Sequence, residues 1–195
     1  MRRVLPIGLG LVVGALTSIG QQYLDGPLNA LVNSASAWLV VAFAVGACMR
    51  TWRGAALAGA CACLGELAGY YVTAHARGYS AGTAILLFWT VCALVGGPVL
   101  GAAGERWRHG TPRLQALAIA TAAGAFLAEG IWTYAYELSY RRTAALWLAI
   151  AAALVLALPG RRRLRAQSAA WLLVVLPVGL IAEAALTLAY NRSAG

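Results

Sequence analysis

The chain has 195 residues, 62% of them hydrophobic and only 11% charged, and a formal net charge of +9. A bilayer core takes about 20 apolar residues per helix, so such a chain has room for about six to eight spans and little else. This excludes an ordinary soluble domain and leaves one integral membrane domain over residues 1–195. No disulfide framework is implied, because Cys48, Cys61, Cys63 and Cys92 all fall inside apolar runs.

In chain order, seven apolar segments are expected to be helical: 4–24, 29–49, 54–74, 82–103, 113–137, 143–158 and 168–190. The first follows Arg2 and Arg3 as a signal peptide would, but it is longer than a usual signal core and lacks a small-residue cleavage site, so it reads as a span. Pro98, after Gly96 and Gly97, and Pro177 mark expected kinks in the fourth and seventh segments. The sixth, TAALWLAIAAALVLALPG, carries no polar feature and reads as filler facing lipid. The expected fold is all-α: a polytopic transmembrane bundle of about seven spans, consistent with parallel helix-hairpin repeats.

All fifteen basic residues are arginine. Arg2, Arg3, Arg50, Arg53, Arg106, Arg108, Arg113, Arg161, Arg162, Arg163 and Arg165 fall on one side of this layout, and Arg77, Arg141, Arg142 and Arg192 on the other. The bias places the N-terminus in the cytoplasm and the C-terminus outside, as in a multi-pass protein of a bacterial cytoplasmic membrane. The lipid bilayer is therefore the first expected partner, whereas arginines scattered over short loops form no groove for nucleic acid.

Segments three, five and seven then run in the same direction, and each holds one glutamate. Glu66 is followed at i+4 and i+7 by Tyr70 and Thr73, Glu129 by Thr133 and Tyr136, and Glu183 by Thr187 and Tyr190. Those spacings share one face of an α-helix, so each helix is expected to carry a Glu–Thr–Tyr stripe. Gly65 and Gly69 bracket Glu66 in the small-residue spacing that lets membrane helices approach closely. Asn29 and Asn33 share a face at the entry to segment two, near Ser34 and Ser36.

An ionised acid near the centre of a membrane helix costs about 2.5–3.5 kcal/mol on insertion scales, so these carboxyls call for protonation, pairing or water. Two readings meet that demand: interhelical hydrogen bonding, or a water-accessible site. All eight tyrosines fall at the outer ends, whereas Trp52, Trp107 and Trp171 hold the inner side. This segregation favours a vestibule walled by Tyr and Thr with carboxyls at its floor. The expected ligand is a small cationic or polar solute, held by charge, cation–π attraction and hydroxyls. The nine stripe residues are the candidate ligand- or proton-binding set. No catalytic residue, metal site or cofactor is read from the sequence, which holds no H-E-x-x-H, G-x-S-x-G or phosphate-binding loop. The alternatives are an intramembrane lipid-modifying enzyme using paired carboxyls, and a structural subunit assembling with a partner in the membrane.

The stretches GQQYLDGPLNALVNSASAWLVVAFAVGA, GELAGYYVTA, FWTVCALVGGPVLGAAG and FLAEG resemble an uncharacterised family of small multi-spanning actinobacterial membrane proteins. That resemblance implies membrane residence and brings no catalytic residues. RTWRGAALAGACACLGELAG is also similar to hairpins of the S components of energy-coupling-factor transporters, which usually have six spans. No residue role follows from it.

Overall fold

A computed structural model describes residues 5–158 and 162–194, with side chains described as far as residue 191. The helices are α1 (Leu5–Gly20), α2 (Gly26–Val32), α3 (Ala35–Ala47), α4 (Trp52–Ala76), α5 (Thr83–His109) and α6 (Pro112–Glu129), then α7 (Arg141–Ala157) and α8 (Arg162–Ala194). Between α6 and α7 the chain continues through a π-helical segment, Gly130–Glu137. Arg2, Arg3 and Arg161, and the side chain of Arg192, lie outside the described residues.

Every apolar segment read from the sequence is helical, but they differ in length. Four helical stretches are long and apolar enough to cross a bilayer: Trp52–Ala76, Thr83–His109, Pro112–Glu137 and Arg162–Asn191. A fifth is reached if α2 and α3, bent by 52° at their break, act as one span. The 16 residues of α1 extend only about 24 Å at 1.5 Å per residue, short of a core about 30 Å thick. Segment two is thus a broken helix instead of a continuous one, whereas Pro98 and Pro177 lie inside helices that run through them.

Local chemistry sets the boundaries. Thr51 caps α4, its Oγ1 accepting from the Gly54 amide at 3.3 Å. Gly78, at φ +87°, takes the left-handed conformation just past that helix. Pro112 opens α6, where a missing amide hydrogen costs nothing.

Packing between helices is dominated by glycine. On α1, a Cβ at Gly10 or Gly14 would run into the Ala62 and Glu66 carbonyl oxygens of α4. On α4, a Cβ at Gly65 or Gly69 would meet the backbone of Ile7 and Leu11. Two G-x-x-x-G faces therefore interlock, and their register increases together, so α1 and α4 are parallel. Between α4 and α5 the backbone contacts run Ala55 to Gly101 and Gly59 to Gly97, which is antiparallel. Gly124 against Val175 and Gly179 against Ala128 make α6 and α8 parallel.

Arginine-bearing ends are gathered together. Trp107 Nε1 donates to the Leu158 carbonyl at 3.4 Å, and Arg108 NH1 to the Ala47 carbonyl at 3.4 Å. At the opposite, tyrosine-rich end Arg77 donates to the Ser18 carbonyl and, at 3.0 Å, to Ser18 Oγ, and its guanidinium lies over Tyr79. Large apolar side chains face outward along the helices, among them Leu16, Leu57, Val95, Leu173 and Ile181. Long apolar helices with such a surface make this a membrane protein.

The sixth segment does not face lipid throughout. Trp147 of α7 is fully buried, in a core with Phe126, Tyr134 and Ala151. Composition cannot show this, because the groups that receive the ring lie on α3, α6 and the π segment.

Candidate functional site

The three glutamates meet three different environments. Glu66 is buried on the α4 face that carries the glycine contact with α1, and its Oε2 receives no hydrogen bond from the described residues. Four residues on, the Tyr70 ring lies 5.3 Å from that of Trp38, and its hydroxyl donates to Gln21 Oε1 at 3.0 Å. Gln21 in turn donates to Asn33 Oδ1, and Asn33 to Asn29 Oδ1 at 3.1 Å. The shared face read for the two asparagines is thus realised in α2.

Glu129 closes the break between α2 and α3. Its Oε2 accepts from Ser34 Oγ at 2.7 Å and from the Ser36 amide at 2.9 Å. Ser34 is the N-cap of α3, accepting from the Ala37 amide at 3.1 Å. Its single hydroxyl hydrogen is committed to Glu129, so in the 3.0 Å contact between the two serines Ser36 is the donor. Ser36 Oγ accepts in turn from Trp147 Nε1 at 3.2 Å. The result is a buried relay, Trp147 to Ser36 to Ser34 to Glu129. A carboxyl group at a helix N-terminus also meets the positive end of the helix dipole.

Glu183 is the glutamate that reaches a cavity. A space of about 650 Å³ runs from the tyrosine-rich end toward mid-bundle, between α3, α4, α5, α6 and α8. Its aromatic walls are Trp38, Tyr70, Tyr71, Phe88 and Trp89, and Asn33, Ser34, Ser36, Thr121 and Glu183 supply polar groups. Thr133 donates to Glu183 Oε2 at 3.0 Å and so orients the carboxyl. Part of its wall is formed by α5 and α8, whose lining residues Val91, Val95 and Val178 are exposed. Phe88 and Tyr190 meet edge to face across those helices, centroids 5.8 Å apart.

Of the nine stripe residues, Tyr70 and Glu183 lie on this lining, with Thr133 bonded directly to Glu183. Glu66, Thr73, Glu129, Tyr136, Thr187 and Tyr190 lie off it. Thr187 bonds back to the Glu183 backbone carbonyl at 3.0 Å. The Glu129 stripe fails for a geometric reason: after Gly130 the helix is π-helical, with i to i+5 bonding in place of i to i+4. Tyr134 therefore turns inward and is buried, whereas Tyr136 is 70% exposed and packs on Trp132. The vestibule is consequently more apolar and aromatic than a Tyr/Thr wall, and its carboxyl sits on one side rather than at a floor.

Two buried residues with polar side-chain groups escape a reading by helical spacing. Trp147 is 111 residues from the serine it bonds. Glu105, buried on α5 among arginines, carries no stripe around it. No curated protein and no solved structure matches the chain. A family model does, over residues 1–192, and the chain belongs to that family, a family of unknown function (DUF6518).

Proposed function

We propose that this membrane protein binds, and moves across or within the bilayer, a small amphipathic cation held in the cavity beside Glu183. The observation that carries the reading is a carboxyl oriented by Thr133 on the wall of an otherwise apolar, aromatic-rich space of about 650 Å³. That volume suits a small ligand, the rings of Trp38, Tyr70 and Trp89 offer cation–π faces, and Glu183 supplies the counter-charge. Flanking by α5 and α8 supports exchange with the bilayer, which favours an amphipathic ligand over a strongly hydrated one.

Seven crossings with the arginine-rich end in the cytoplasm complete the proposal. Parallel α1 and α4, antiparallel α4 and α5, and parallel α6 and α8 fit a chain that reverses at each connection. The short α1 and α7 would then cross a locally thinned bilayer.

The test is ligand binding to the purified full chain, with a panel of aromatic and alkyl ammonium compounds. Glu183→Gln is expected to abolish binding while thermal unfolding stays near wild type. Retention of binding in that variant would remove Glu183 from the site and with it the cationic ligand.

A further inference from the structure

A second site lies at the arginine-rich end, away from the cavity and independent of its function. Antiparallel packing sets Ala55 of α4 on Gly101 of α5, backbone to backbone. One helical turn further toward this end, the start of α4 stands across from Glu105. There Arg50, Thr51, Trp52, Arg53, Glu105 and Arg106 enclose a recess of about 460 Å³.

The charges in it satisfy one another only in part. Glu105 is only 4% exposed, and its Oε2 receives no hydrogen bond from the described residues. The nearest cation is Arg106, whose Nε stands 3.5 Å away in a contact of charge without hydrogen-bond geometry. Glu105 also sits near the C-terminus of the 27-residue α5, where the helix dipole opposes a negative group. A buried acceptor so placed calls for an N–H donor bearing positive charge. On the other wall Arg50 and Arg53 are exposed beside the N-terminus of α4, an arrangement that attracts phosphate. The Arg53 guanidinium lies 5.3 Å from the centroid of the Trp52 ring, which is 48% exposed, as an interfacial tryptophan would be.

We propose that this recess binds the headgroup of an ammonium-bearing phospholipid of the phosphatidylethanolamine type. The phosphodiester would lie against Arg50, Arg53 and the α4 N-terminus, and the ammonium would donate to Glu105. An anionic headgroup without an amine accounts for the arginines but leaves the Glu105 oxygen unmet. A choline headgroup has charge but no N–H to give.

The experiment measures binding of short-chain phosphatidylethanolamine, phosphatidylglycerol and phosphatidylcholine to the full chain in detergent by native mass spectrometry. Glycerophosphoethanolamine is included as the soluble form of the headgroup. Wild type is expected to favour phosphatidylethanolamine over each of the other two lipids by about tenfold, the worth of one charge-assisted hydrogen bond. Glu105→Gln is expected to erase that preference, and Arg53→Gln to weaken all three lipids together. Because Arg53 is exposed, its variant keeps the test open if Glu105→Gln fails to fold. Equal binding of the three lipids by wild type would overturn the proposal, as would an unchanged preference in Glu105→Gln. Binding of the soluble headgroup as tight as that of the lipid would overturn the assignment to a membrane ligand.

Discussion

Replacing Glu129 by alanine separates the carboxyl that caps α3 from the one that lines the cavity. The change leaves two buried donors facing the space where Oε2 was: the Ser34 hydroxyl, 2.7 Å from it, and the Ser36 amide, 2.9 Å from it. A buried donor left without an acceptor costs about 1–3 kcal/mol. The Ser34 hydroxyl can turn only toward Ser36, whose own hydrogen already points at it, so reversing the relay gives little relief. The expected loss is about 3 kcal/mol, or about 6–12 °C in Tm for a chain of this size. Glu129→Gln keeps an acceptor oxygen but a weaker one, and is expected to lose about 1 kcal/mol. Thermal unfolding of the detergent-solubilised full chain, followed by tryptophan fluorescence, makes the comparison. An alanine variant melting within about 1 °C of wild type would refute the capping role. A glutamine variant as unstable as the alanine one would show that charge, and not hydrogen bonding, holds the break in the helix.

Other outcomes follow from the same contacts. Gly14→Leu places a side chain where the Glu66 carbonyl lies, so α1 must part from α4; at about 1–3 kcal/mol for overpacking, its Tm should fall, while Gly8→Leu, with open space around it, should not change it. Trp147→Phe deletes the donor to Ser36 and leaves a void where the second ring was; beyond the packing loss, about 1 kcal/mol for the hydrogen bond is expected, and that share alone should vanish in a Ser36→Ala background. Cys92→Trp introduces bulk on the cavity wall and should block ligand binding without lowering Tm, as measured by the ammonium panel and the melting curve together. Thr133→Val removes the donor to Glu183 and should weaken that binding several-fold rather than abolish it.

The sequence by itself shows which apolar runs become helical, because apolarity needs no partner to be recognised, but not that the second run breaks between α2 and α3 or that α1 has only 16 residues. It also determined which ends carry arginine and which carry tyrosine, and that Gly65 and Gly69 form a close-packing face. Each of these is a local property, legible within one helix. The surroundings of the three glutamates are not local and come from how the helices pack. Their i+4 and i+7 neighbours look alike, yet Glu66 lies on the α4 face packed by α1, Glu129 caps α3 some 93 residues away at the Ser36 amide, and Glu183 alone reaches the cavity. The π-helical turn after Gly130 shifts the face on which Tyr134 and Tyr136 fall, and no 3.6-residue count anticipates that. Trp147 sits in a segment that reads as featureless because its partner, Ser36, is supplied by another helix. A carboxyl group inside a membrane is costly without a partner. The partners of Glu129 and Glu183 come from other helices, set by which helices pack together, whereas Glu66 Oε2 has no hydrogen-bond partner among the described residues.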